Sequence, residues 1–285
     1  MNSQFFSSLA GALFGALAGA TAAHRIAERA KSKESLLQEV RNTNSALMAS
    51  YIVCNSYLLL KDQQVRDLYN KFCEKHEEYQ RVRDGQLEGD YFAYEADMRR
   101  VILPKIPIDL LNEQVYQKMN LNGRPVSATA QIDNTIASLE SAIETRDSVI
   151  QMIRRSPGMG DADKANLYFG FPLSDGSLST EYADALKGIA TYVDDVVFFS
   201  QLLCEDLFEH GQKIRKRLKD QYREEAPEVN RVDLAPAETK GLMPDKEQYA
   251  DWLQGHRTIS SNESEIGWFA RVLEKMSNKS RKTDA

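Results

Sequence analysis

Chemistry in this chain would have to start from a few histidines, cysteines and carboxylates, and most stand at spacings that do not support it. His76-Glu77-Glu78-Tyr79-Gln80 opens like a zinc-protease helix. In that motif two histidines, one helical turn apart, share the metal while the glutamate acts as base. Gln80 stands where the second histidine belongs, so the motif fails. Cys73 and His76 lie one turn apart, and Cys204 and His210 lie on a second segment. Pairing those segments would gather nitrogen and sulfur donors, but the spacing is not that of a zinc site. Gly158 to Lys164 lacks the full spacing of a phosphate-binding loop, and no strand precedes it. Asp161 and Asp163 resemble the start of a calcium loop, yet Ala165 and Asn166 occupy the next ligand and glycine positions. No serine elbow and no glycine fingerprint occurs. The expectation is a protein without catalytic residues, metal or cofactor.

The most informative polar residues are Asp194 and Asp195. They interrupt a segment, Ile189 to Leu203, that is apolar nearly all round. A central bundle helix would bury such a carboxylate at least in part, and a buried carboxylate needs a partner. Arg146 occupies a stripe position on a neighbouring long helix and is the expected partner, in a register-fixing ion pair. Lys213, Arg215, Lys216, Arg217 and Lys219 crowd the end of the third long helix. They complement the helix dipole, or contact lipid headgroups or an acidic partner. An enzyme using Asp194, Asp195 and His210 as acid and base is the rival reading.

The elements that position these residues are helical. The chain has 285 residues and a net charge of −6, which gives no reason to expect nucleic-acid binding. Residues 34 to 83 hold no Gly or Pro and carry a heptad stripe. Its a positions include Leu37, Asn44, Tyr51, Leu58, Val65, Phe72 and Tyr79. Its d positions include Val40, Leu47, Cys54, Lys61, Leu68 and Lys75. A short helix is expected over 90–102, ending before Pro104, and another over 108–120. A long helix from about Ser127 ends at Ser156-Pro157-Gly158, and another spans about 180–224. Residues 157–179 read as irregular, with a small hairpin.

The stretch from Phe5 to Ala23 is free of charge and carries Gly11, Gly15 and Gly19 on one face. It reads as a membrane helix with a close-packing glycine face. The basic residues Arg25, Arg29, Lys31 and Lys33 after it place the following chain in the cytoplasm and the N-terminus outside. The expected fold is all-α: an N-terminal single transmembrane helix continuous with a long-helix, coiled-coil-like cytoplasmic bundle. The organisation is a short extracytoplasmic end (1–4), the span (5–23), the bundle (24–225), a Pro-containing linker (226–261), and an amphipathic helix with a basic tail (262–285). Trp268 and Phe269 on that last helix are candidate lipid or partner contacts. Self-association is expected through Gly11, Gly15, Gly19, Asn44, Leu47, Tyr51, Cys54 and Leu58.

The function this implies is that of a membrane-anchored homo-oligomer working by assembly and partner binding. Its partners would be its own copies, the lipid bilayer and a further protein. A pore or membrane-perturbing assembly gated by the cytoplasmic bundle is the alternative.

Overall fold

The computed structural model describes residues 3–86 and 95–256, with side chains from residue 16 onward. The chain divides into two compact units, Met1–Pro244 and Asp245–Ala285.

Three long helices build the first unit. Helix α1 runs over Ser3–Leu60. A π-helical turn, Lys61–Val65, leads without a break into α2, Arg66–Arg83. After an irregular strap over 95–107 come α3, Ile108–Glu113, and a second π turn, Gln114–Lys118. Helix α4 spans Arg124–Arg155, α5 spans Asp161–Phe169, α6 spans Glu181–Tyr222 and α7 spans Ala235–Thr239. The second unit holds a 3-10 turn at Lys246–Tyr249, capped by the Asp245 side chain, and α8, Ala250–Gly255.

Local chemistry sets these boundaries. Pro125 stands in the first turn of α4, where its missing N–H costs nothing, and Arg154 and Arg155 close the last turn. Gly170, in the left-handed conformation at φ 78°, ends α5, and the amides of Gly170 and Phe171 both donate to Asn166 O at 2.8 Å. Glu181 and Asp184 sit at the positive end of α6, and Thr180 Oγ1 lies 2.6 Å from Asp184 Oδ2.

Helix α6 is the centre of the unit, packed on one side against α1 and on the other against α4. That position explains its composition. From Val196 to Cys204 every residue is buried, because neighbours cover the helix from both sides. The contact with α1 is built from small residues. Thr43, Ala46, Ala49, Ser50 and Cys54 are fully buried there, and Ser50 Oγ donates to Ser200 O at 2.9 Å. Cys54 and Cys204 are free and buried. Burial pushes the Cys54 thiol up to about 11 and the Cys204 thiol up to about 12.

Several expectations need correction. Among the described residues, no helix is long and apolar enough to cross a membrane. The single-pass span, its glycine face and the membrane localisation with a cytoplasmic bulk are therefore set aside. The described part of the supposed span, Ala16 to Ala23, continues without interruption into His24, Arg25 and Glu28 on one exposed helix. Gly19 faces open space. The surroundings of Gly11 and Gly15 lie outside what the structure describes. The expected helix over 90–102 is irregular strap from residue 95, with residues 87–94 outside the described set. The expected hairpin near 167–177 is instead α5 and a turn, and among the described residues there is no strand. The terminal helix with Trp268 and Phe269 also lies outside the described residues.

The long heptad stripe is present but changes phase. Before the π turn the fully buried positions are Val40, Thr43, Ala46, Ala49, Ser50, Val53, Cys54 and Tyr57, while the a residues Asn44 and Tyr51 are half-buried. After it Val65, Leu68, Phe72 and Tyr79 are buried, and these are the a and d positions. One extra residue accommodated in the π turn moves the inward face by one position.

Candidate functional site

The strap is held by an arginine. Arg146 has no exposed surface, and one of its guanidinium nitrogens donates to two main-chain carbonyls, Asp97 O at 3.0 Å and Arg99 O at 2.9 Å. Its other terminal nitrogen reaches Asp147 Oδ1 at 3.2 Å. The guanidinium carbon lies 5.6 Å from the Tyr182 ring centre. Tyr182 itself donates to Asp97 O at 3.3 Å, and Arg154 donates to Met98 O at 3.3 Å. The strap is thus read by main-chain contacts from α4 and α6. At its surface, Arg99 forks onto the Asp97 carboxylate at 2.9 and 3.0 Å. That hydrogen bond to Arg99 holds the Asp97 carboxyl below its usual value, against the raising effect of burial.

Beside the strap an aromatic cluster fills the end of the bundle. Tyr168 and Tyr182 have ring centres 4.4 Å apart, and Phe72 lies 5.7 Å from Phe169. His76 belongs to this cluster, its ring stacked on Phe171 at 5.2 Å. Among the described residues no group of His, Cys, Asp and Glu is disposed to hold a metal ion. Burial, aided by Tyr182, raises the Tyr168 phenol. Between α2, the strap, α4 and α5 opens a cleft of about 810 Å³. Phe72, Tyr168 and Phe169 line its inner part.

The carboxylates singled out in the sequence take other partners. Asp194 Oδ1 lies 2.6 Å from Lys61 Nζ, and Lys61 also donates to Leu242 O at 2.9 Å. Arg146 takes Asp147 and the strap instead. Asp195 is half-buried on the same helix. Lys61 was visible as a charged d position in an apolar stripe, a signal that a carboxylate must face it. His210 Nε2 meets Glu39 Oε1 at 2.9 Å, and the Asn120 amide donates to the same oxygen at 3.1 Å. Burial raises the Glu39 carboxyl, and these two contacts together outweigh it and bring it below its usual value. Asp161 and Asp163 serve the first turn of α5, and Asp163 accepts from the Ser174 amide and hydroxyl at 2.8 and 2.6 Å.

The expected association residues fall on both sides of the α1 surface. Leu47, Cys54 and Leu58 are buried within the chain. Asn44 donates to Glu228 O at 2.9 Å, and Tyr51 is half-buried. The basic cluster is met by acids of the same chain. Arg215, Lys216 and Lys219 line one recess with Glu224, Glu225 and Glu228, and Glu224 pairs with Lys33. Lys213 and Arg217 are exposed.

One feature of α1 uses none of this internal chemistry. From Ala16 to Ser32 every residue of the helix is exposed. Further along, Met48, Ile52 and Leu59 are 54, 41 and 47% exposed, and Ile26 is 71% exposed. At about 100° per residue these four lie within about 80° of each other around the helix. They form an apolar seam on the side not used by α6.

No family model, no curated protein and no solved structure matches this chain.

Proposed function

We propose that this protein acts by assembly, as a helical scaffold in which α1 pairs with α1 of a second copy and presents the bundle to a further protein partner. The observation that carries the reading is the outer seam of Ile26, Met48, Ile52 and Leu59. A long helix with one seam packed inside its own chain and a second left bare is the pattern of a helix that joins two bundles. The charges between the seam residues suit such a contact. Arg41 and Glu34 pair along the same face at 3.4 Å and are exposed, so both can re-pair across a dimer. The polar residues of the bundle support the same view, since Arg146, Lys61, Asp194, Glu39 and His210 are each engaged in holding segments of the chain together.

The test is sedimentation velocity of the full chain and of a Met48→Glu, Ile52→Lys variant. Both positions are exposed, so the fold is untouched. The expected result is self-association in the wild type that weakens at least tenfold in the variant. A wild type still monomeric at about 0.1 mM, where association weaker than ~5.5 kcal/mol escapes detection, overturns the proposal. So does equal association of the two proteins.

A further inference from the structure

The geometry points to the cleft beside the strap as a binding site for an aromatic anion: a flat apolar body carrying a carboxylate, sulfonate or phosphate. The cleft, at about 810 Å³, has the size of a small-molecule site. Its inner lining is aromatic and sulfur-bearing. The Phe72 and Phe169 rings, 5.7 Å apart and inclined by 31°, stand with Tyr168 and Met98. These three rings are buried against one another, so they form the apolar floor of the cleft, and a planar ligand would meet that floor and the Met98 thioether.

The sign of the ligand follows from the charges. Lys71, Lys75, Arg99 and Arg154 line the cleft against Glu74, Glu95 and Asp97. Asp97 is neutralised by the Arg99 fork. Lys71 is paired with Asp67 and Lys75 with Glu78, at positions exposed enough that water competes for both bonds. Arg154 carries five N–H donors. Its protein contact is one bond to the Met98 carbonyl, with no carboxylate paired to it among the described residues. Arg154 is therefore the anchor for the anionic group, and Lys71 supplies the second cation. Glu74 and Glu95 line the same cleft, so the preference for an anion rests on Arg154, whose guanidinium is bonded to no carboxylate among the described residues.

The probe is 8-anilinonaphthalene-1-sulfonate, a fluorescent aromatic anion. Its uncharged counterpart, N-phenyl-1-naphthylamine, is titrated in parallel against the full chain. The expected result is saturable sulfonate binding at least tenfold tighter than that of the neutral compound, with Arg154→Glu, Lys71→Glu losing at least tenfold. Lys213→Glu, on the exposed end of α6, should change affinity less than twofold. Equal binding of the two probes by the wild type overturns the inference without recourse to any variant. So does unsaturable fluorescence, or a double variant of native circular dichroism that binds as the wild type does.

Discussion

Replacing Arg146 by methionine tests whether the strap is held by the guanidinium or merely lies over it. The side chain is fully buried and makes two bonds to strap carbonyls at 3.0 and 2.9 Å. A hydrogen bond from a charged donor contributes about 1.5–3 kcal/mol, so the pair is worth roughly 3–6 kcal/mol gross. Methionine fills much of the volume and removes the cost of burying a charge, which offsets part of that loss. The expected net cost is about 3 kcal/mol, which raises the open population of the strap on the order of 100-fold, since each 1.4 kcal/mol is tenfold. Arg99 and Arg100 have side chains 71 and 83% exposed, yet their peptide bonds are fixed by the strap. Limited trypsin digestion reads the opening directly as cleavage after these two residues. Cleavage at Arg154-Arg155, within α4, serves as the internal reference. Urea unfolding of the same variant supplies the global cost. A variant that loses under about 1 kcal/mol and shows no faster cleavage after Arg99 or Arg100 refutes the clamp.

Two further outcomes follow from the α1–α6 contact. Glu39 has its carboxyl drawn below the ordinary value of 4.5 against the pull of burial. Its contribution is therefore present above that value and is lost as pH falls through the lower folded value. Urea midpoints measured from pH 6 down to 3 should fall less steeply for Glu39→Gln than for the wild type, and parallel curves would contradict the assignment. Gly211→Ala would place a Cβ 2.8 and 2.9 Å from the two Val229 methyls and 3.2 Å from Thr43 Cγ2. A branched side chain has little room to give, so a loss of about 1–3 kcal/mol in urea unfolding is expected, and a gain would show that the contact relaxes.

The long helices were legible because their apolar spacing runs for many turns. The heptad through Leu47, Cys54, Leu68 and Phe72 and the all-round apolar run from Val196 announced helices and a central position. What failed did so for physical reasons. The strap around Asp97 and Arg99 has no periodicity of its own, since its structure comes from Arg146 on a distant helix. Asp194 was recognised as a carboxylate in need of a cation. Spacing points to Arg146, because nothing in a stripe tells which of two cations lies at the same height along the bundle. Both charged d residues, Lys61 and Lys75, mark places of interest: one faces Asp194 and the other borders the cleft. The membrane reading took the apolar, charge-free composition around Ala16 to Ala23 as a solvent preference, while the structure gives an exposed helix that runs straight on into charged residues.

The π turn at Lys61–Val65 makes the length of this helix as consequential as its composition. Removing one residue there would let the ladder of hydrogen bonds close in the ordinary α pattern. It would also rotate everything downstream by about 100°. Phe72, His76 and Tyr79 would swing out of the aromatic cluster together, although none of them had been altered. In evolutionary terms the turn is a ratchet. Point changes along α2 are judged one residue at a time, whereas a single-codon deletion at residues 61–65 is judged by the whole far end of the molecule. A chain whose strap and aromatic end are built around this phase could not lose a residue at 61–65 without rebuilding both.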